Sequence, residues 1–237
     1  NVMLADRDEA RLADEVGNVE DERGQARFFA GDLREKLTVA NLVSATIDAF
    51  DRVDILINAA RQVKESDPLD ASDDTVKVLM EQNMYTALRL SQSVAKRMIE
   101  QAEEDGNEDG TVGAIVNLSS IAARRTHPDL LAYSVSAAAL DQVTRSLAVA
   151  LAPKRIRVNG VAFGSLMSHS LKETLKGNRE LRAEIKECTP LGRIGSAREV
   201  ASAVQFLCSD GAAFVTGELI TVDGGRTLLD NVTSAAH

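Results

Sequence analysis

Gly113-Ala114-Ile115-Val116-Asn117-Leu118-Ser119-Ser120 is a short apolar run that stops on small polar residues. It is too short for an ordinary helix, and its apolar residues do not alternate with polar ones. It therefore reads as a strand over Gly113–Leu118, of the kind a parallel sheet buries on both faces. Similar runs stand at Val2–Ala5, ending in Asp6, and at Ala26–Ala30, ending at Gly31-Asp32. Others follow at Val53–Asn58, Ile156–Val161 and Glu218–Val222. Stretches of helical period lie between them: Ala10–Val16, Val39–Phe50, Asp74–Ile99 with a break near Asn83, Tyr133–Ala152 and Ala197–Leu207. This alternation predicts an α/β fold, a parallel sheet with helices on both faces. No Pro/Gly/Ser-rich linker and no repeat interrupts it, so residues 1–237 are read as one domain. The charged segment Lys172–Glu187 reads as a helical insertion over one end of the sheet, and Glu103–Gly110 as an exposed loop.

Composition narrows the function. The chain has 237 residues, 44% hydrophobic, enough for one sizeable core, and a net charge of −9. An acidic chain whose longest basic block is Lys154-Arg155-Ile156-Arg157 is a poor match for nucleic acid or an anionic membrane. No apolar stretch approaches the roughly 18 residues of a membrane span. Asn1–Asp6 lacks the basic flank and cleavage site of a secretory signal. Cys188 and Cys208 are not spaced as metal ligands, and two thiols fit a reducing cytoplasm. His127, His169 and His237 are too scattered for a metal site, so no metal is expected. Cys188 and Cys208 read as ordinary thiols and the histidines as solvated loop residues.

Ligands of open α/β sheets lie at the carboxyl ends of the strands. Asp6 stands at such an end, where a carboxylate can accept both ribose hydroxyls of an adenosine and would repel a 2′-phosphate. Asp32 and Asn58-Ala59-Ala60 end the next two strands. Each could equally be a turn residue or a helix cap. The centre is more specific. Asn117-Leu118-Ser119-Ser120 is followed by Tyr133, and then by Asn159-Gly160-Val161-Ala162-Phe163-Gly164. Together with Val53–Ala60, Asn83, Pro190-Leu191-Gly192-Arg193, Phe214-Val215-Thr216-Gly217 and Val222-Asp223-Gly224-Gly225, these resemble the short-chain dehydrogenase/reductase family. The resemblance runs over essentially the whole chain, and is nearest the 3-oxoacyl-thioester reductase and 3-hydroxyacyl dehydrogenase branch.

The resemblance implies a Rossmann-like doubly wound sheet and an NAD(P)-dependent oxidoreductase. It implies that Ser120 hydrogen-bonds the substrate oxygen, that Tyr133 exchanges the proton and that Asn83 holds a water in the relay. Asp6 would bind the adenosine ribose and favour NAD. Asp32 would contact the adenine edge, Asn58 and Ala59 would line the adenosine side, and Ser168 would touch the nicotinamide amide. The bland alternatives are that Ser119 and Ser120 cap a turn and that Tyr133 merely starts a helix.

Three departures from the family bear on catalysis. The lysine of its Tyr-x-x-x-Lys motif is Ala137 here. An ordinary tyrosine titrates near pH 10, so only ~0.1% is phenolate at pH 7, and a neighbouring ammonium favours the phenolate. Arg124, Arg125 or Lys172 could reach in as a substitute. The family's glycine-rich phosphate loop and first strand have no counterpart ahead of Asp6, a shortfall of about 30 residues, one βα unit. NAD binding is expected only if that loop exists, and the sequence is expected to be incomplete at its amino end. A sheet lacking that strand would be cut in two. Finally, Asn58-Ala59-Ala60-Arg61 replaces Asn-Asn-Ala-Gly, and Phe163-Gly164 replaces Pro-Gly beside the nicotinamide.

The reading that follows is a family scaffold with impaired or no turnover of its own, serving as a structural subunit beside an active relative. The resemblance implies homo- or hetero-oligomers built through the long helices Asp74–Ile99 and Tyr133–Ala152. The small residues Ser134, Ser136, Ala137, Ala138, Ala139, Ala148 and Ala150 of the second helix permit close approach. The alternatives are an active NAD-dependent 3-oxoacyl/3-hydroxyacyl-thioester oxidoreductase, and a regulator that binds a nucleotide without turning it over.

Overall fold

The computed structural model describes residues 1–17 and 25–230. His237 lies outside them, as do the side chains of His169 and Ser170. The elements run β1 (Val2–Asp6), α1 (Glu9–Gly17), β2 (Ala26–Ala30), α2 (Lys36–Phe50), β3 (Ile55–Asn58), α3 (Thr75–Leu79) and α4 (Thr86–Glu104). They continue with β4 (Gly113–Ser120), α5 (Leu131–Leu151), β5 (Ile156–Phe163), α6 (His169–Thr174), α7 (Arg179–Glu187), α8 (Ala197–Cys208) and β6 (Leu219–Val222). Every predicted strand is present. The break near Asn83 is a π-helical segment, Met80–Tyr85, joining α3 to α4. The charged insertion forms two short helices, α6 and α7.

All strand pairs are parallel, in two sheets. One holds β1 and β2, the other has the order β3-β4-β5-β6. The centre is β4 on β5, in register from Gly113 opposite Ile156 to Ser120 opposite Phe163. All eight residues of β5 are buried, as are seven of the eight in β4, Leu118 being half-buried. This is why neither strand shows a regular apolar/polar alternation, and why their few polar side chains, such as Asn117 and Asn159, are hydrogen-bonded inside the molecule. Gly160 in β5 has a steric reason: a Cβ there would stand 3.3 Å from the Asn117 carbonyl and collide with the Leu219 side chain. Helices α2, α4 and α5 cover one side, contributing Val39, Leu42, Leu90, Val94, Met98 and Ala148 to a core with Ile115, Ile156 and Val158. On the other side α8 packs Val200, Val204 and Leu207 against Val116, Val161 and Phe163.

The sequence reading expected a missing first strand. A strand, β1, does stand at the head of the described chain. It pairs with β2 alone, and among the described residues no ladder joins β1 to β3. An apolar trough of ≈ 640 Å³ separates them, walled by Val2–Ala5 and by Ile55–Asn58, with Leu42, Val43, Leu90 and Val94 of α2 and α4 beneath. Ile55 and Ile57 are consequently 47% and 46% exposed, although their strand has the composition of a buried one.

The split sheet predicts unequal costs for the same truncation. Ile115→Ala, at a side chain with 0% exposure, should cost about 2–5 kcal/mol. Ile57→Ala should cost about 1 kcal/mol, because half the side chain is already in water. Urea midpoints of the two variants measure the difference; equal costs would mean that β3 is covered in solution.

Candidate active site

The site lies at the carboxyl ends of β1–β5 and begins with the inward face of α5. Its spacing places Tyr133, Ala137, Leu140, Asp141, Thr144 and Ala148 among the buried residues of that helix. Pro128 at the start of the preceding 3₁₀ turn (Pro128–Leu130) sets the entry into α5. Tyr133, 6% exposed, packs with Ala132, Leu79 and Ala122. Ala122 belongs to the 3₁₀ turn after β4, whose first N–H groups need an acceptor. Ser120 caps that turn, its Oγ accepting from the Ala122 N–H at 3.1 Å. The turn-capping role considered from sequence is therefore real. It leaves the Ser120 hydroxyl proton for another partner. Ser120 and Tyr133 are thus brought to the same end of the sheet through Ala122.

Ser119 points elsewhere. Its hydroxyl donates to Asp141 Oδ1 at 2.5 Å, inside the molecule. Burial pushes the Asp141 carboxyl above its ordinary range, and the Ser119 hydrogen bond opposes this only in part. Asn58 is also inward. Its Nδ2 donates to Asn117 Oδ1 at 2.8 Å and to Ser91 Oγ at 2.9 Å. Asn117 Nδ2 donates in turn to Thr144 Oγ1 at 2.9 Å. The Asn58 side chain therefore ties β3, α4, β4 and, through Asn117, α5 together, while Asn58 and Ala59 are among the residues that border the trough.

Asn83, in the π-helical segment, grips the loop after β3. Its Oδ1 accepts from the Gln62 N–H at 2.8 Å, and its Nδ2 donates to the Gln62 carbonyl at 2.9 Å and to Ser136 Oγ at 3.1 Å. Both amide protons are thereby used on the protein, leaving acceptor capacity on Oδ1 for a water. The residue before Gln62 is Arg61. Its Nη1 donates to Tyr133 Oη at 2.6 Å, and its guanidinium carbon stands 4.2 Å from the centre of the Phe163 ring.

The cations that could have substituted for the absent lysine are not brought to Tyr133 by any hydrogen bond shown. Arg124 donates to Thr221 Oγ1 at 3.4 Å, Arg125 donates to the Thr227 carbonyl, and Lys172 is exposed on α6. Arg61 was read only as drift. The available signal was that one cation was lost at position 137 while another was gained at a strand end facing the same cleft.

Asp6, Asp32, Ala60, Arg61 and Gln62 line a cleft of ≈ 290 Å³, with Arg7 and Arg11 at its border. Asp6 is exposed and accepts from the Asp8 N–H at 3.0 Å. The Arg34 guanidinium beside Asp32 holds that carboxyl down at about 2. Two carboxylates at the carboxyl ends of neighbouring parallel strands suit the hydroxyls and ring edge of an adenosine, so this side of the cleft fits that half of a dinucleotide. Ser168 is separate: its Oγ caps the six-residue α6, accepting from the Leu171 N–H at 3.1 Å. No cluster of three or more metal-ligating side chains occurs among the described residues, and Cys188 and Cys208 are unpaired.

A parallel sheet with a Ser/Tyr pair and paired carboxylates at its carboxyl end defines a nucleotide-dependent α/β oxidoreductase. Comparison with known proteins gives the family. The model described as enoyl-(acyl carrier protein) reductase matches residues 1–227. An uncharacterized oxidoreductase of Thermotoga maritima is 34% identical over 229 residues, 95% of this chain and 87% of its own. The 7alpha-hydroxysteroid dehydrogenase of Escherichia coli K12 is 32% identical over 217 residues, 90% of this chain and 80% of its own. A solved 7alpha-hydroxysteroid dehydrogenase, complexed with NADH and 7-oxo glycochenodeoxycholic acid, superposes with a TM-score of 0.85 at 29% identity, covering 95% of this chain and 84% of its own. A gluconate 5-dehydrogenase from Burkholderia cenocepacia in complex with NADP and tartrate gives 0.84 at 28% identity, covering 96% and 86%. The chain belongs to the short-chain dehydrogenase/reductase family of oxidoreductases.

Asp141 supplies a pH test. Its ordinary value is 3.8, and burial raises it in the folded chain. A raised carboxyl contributes stability that is fully present below the unfolded value and lost as pH rises through the folded one. Relative to the natural chain, Asp141→Asn should therefore gain stability as pH is raised through the range above the ordinary value of 3.8. Urea midpoints across that range check the sign; a difference independent of pH would contradict it.

Proposed function

We propose that the protein interconverts a secondary alcohol and its ketone with NAD(H), slowly for its family, and works in an assembly with a second copy or a related chain. The observation behind this reading is the retained pair at the end of the sheet, Ser120 on the turn after β4 and the buried Tyr133 on α5. In this reading the Ser120 hydroxyl holds the substrate oxygen, and Tyr133 Oη–H exchanges a proton with it. Asp6 and Asp32 hold the adenosine, with Asp6 disfavouring a 2′-phosphate. Asn83 fixes the loop that lines the cofactor side, and Ser168, the cap of α6, would touch the nicotinamide amide only if α6 moves toward the cleft. A nicotinamide cofactor, when bound, supplies or accepts the hydride. Turnover is weak because Ala137 leaves α5 without the family's ammonium. Among the structural relatives, the 7alpha-hydroxysteroid dehydrogenase is complexed with 7-oxo glycochenodeoxycholic acid and another is a gluconate 5-dehydrogenase, so hydroxy and keto compounds are the substrates to try first. The sequence resemblance adds 3-oxoacyl and 3-hydroxyacyl thioesters to the substrates worth trying.

The assembly has its own support. Leu131, Val135 and Val149 of α5 are 39%, 43% and 78% exposed. They make this helix a candidate contact for a second subunit. A reducing cytoplasm suits the two unpaired thiols, and no described helix is long and apolar enough to cross a membrane.

The experiment is NADH oxidation by the purified full chain, with a 3-oxoacyl thioester and a cyclic ketone as substrates. Measurable turnover that falls about 10²–10⁴-fold in Tyr133→Phe supports the reading. Turnover indifferent to that change, or absent both alone and with any co-purifying subunit, refutes it.

A further inference from the structure

We propose that Arg61 is a positioning and charge-stabilising residue for Tyr133, so that the cation missing from α5 is delivered instead from the loop after β3. The inference rests on Tyr133 being the proton-exchanging group proposed above. Three departures from the family pattern meet at one place. Arg61 Nη1 donates to Tyr133 Oη at 2.6 Å. The guanidinium lies over the Phe163 ring at 4.2 Å, inside the range of a cation–π contact. Ala137 lies one turn beyond Tyr133 on α5, buried and without a charge. A flexible arginine in open water would not hold such a contact cheaply, because its side-chain entropy opposes it. Here the loop is clamped: Asn83 binds both the N–H and the carbonyl of Gln62, the next residue. Phe163, buried at the end of β5, supplies a fixed face beneath the guanidinium.

The chemistry follows from the donor direction. Arg61 donates and Tyr133 Oη accepts, so the phenol keeps its own proton to give. In the reducing direction the substrate carbon gains the hydride pair from a dihydronicotinamide, and the substrate oxygen takes the phenol proton. Negative charge then develops on Oη beside a permanent cation. In the oxidising direction Tyr133 would start as the phenolate, its proton already given up to solvent, and Oη would take the proton of the alcohol while a bound nicotinamide cofactor would accept the hydride. Arg61 neither gains nor loses a proton in either direction, because its guanidinium stays protonated throughout.

The chain itself offers a clean probe. It holds two tyrosines, Tyr85 and Tyr133, and no tryptophan. In the full chain with Tyr85→Phe, Tyr133 is the sole tyrosine, and phenolate absorbance against pH reports on it without any cofactor. Adding Arg61→Ala should move the appearance of that absorbance to higher pH, because the phenolate loses its neighbouring cation. Arg61→Gln, which keeps an N–H donor without the charge, should behave like Arg61→Ala, and Arg61→Lys should recover part of the difference. The pH profile of NADH oxidation should shift in the same direction, with the loss falling on kcat rather than KM. An absorbance titration identical with and without Arg61, in variants shown by circular dichroism to be folded, overturns the inference. A titration that shifts while Tyr133→Phe leaves turnover unchanged keeps the contact and refutes the proposed function instead.

Discussion

The parallel pairing of β4 with β5 is the constraint from which the rest of the site follows. Eight residues of each strand lie in register, and almost none of their surface reaches water. Strands covered on both faces can satisfy buried polar side chains only among themselves and the helices above. That requirement is met by the run from Asn58 through Asn117 to Thr144, whose hydroxyl donates on to the Leu140 carbonyl at 2.9 Å. The run fixes β3 against β4 and fixes the face that α5 turns to the sheet. Once that face is set, Tyr133 packs on Ala122 of the turn that follows β4, and Ser120 and Phe163 are directly paired at the ends of their strands.

Against that frame, the loss of a charge at position 137 need not leave the phenol without one. An ammonium carried on α5 would sit one helical turn from Tyr133. The guanidinium of Arg61 arrives from the opposite wall, off a strand end, and needs support that a helix position would provide by itself. Asn83 and Phe163 give that support from two different elements. An arginine stacked on an aromatic ring has a fixed plane, which an ammonium does not. The exchange therefore trades a flexible point charge for an oriented donor. It also places a bulky side chain on the border of the cleft that Asp6 and Asp32 line, so the same residue that steadies Tyr133 restricts what can lie across it.

The fold was legible because its signals are local. Short apolar runs alternating with helical periods need no knowledge of distant contacts, and even the irregularity near Asn83 showed as a break in the pattern. The division of the sheet was also foreseeable, since strand order follows from the family likeness. The inward turn of Asn58 and Ser119 was not legible, because a residue at a strand end faces a helix or a cleft depending on pairing the sequence does not display. Arg61 was missed for a related reason. Its partner, Tyr133, is 72 residues away, and spacing along the chain says nothing about such a pair. The sequence carried only the coincidence of one cation lost and another gained.

The π-helical segment Met80–Tyr85 explains how a sheet in two parts can still present one site. A π turn inserts a residue and rotates the side chains that follow it, and such turns gather at functional positions. Here it presents Glu81 and Asn83 to different neighbours. Arg89 of α4 pairs with Glu81 and donates to the Arg34 carbonyl at 3.1 Å, which holds the loop after β2 beside Asp32. Asn83 holds Gln62, and through it Arg61 beside Tyr133. The adenosine side of the cleft, carried by β1 and β2, and the Tyr133 side, carried by β4 and α5, are thus referenced to one six-residue turn, although no ladder joins β1 to β3. Side-chain hydrogen bonds from that turn do at the cleft what backbone hydrogen bonds do elsewhere in the sheet.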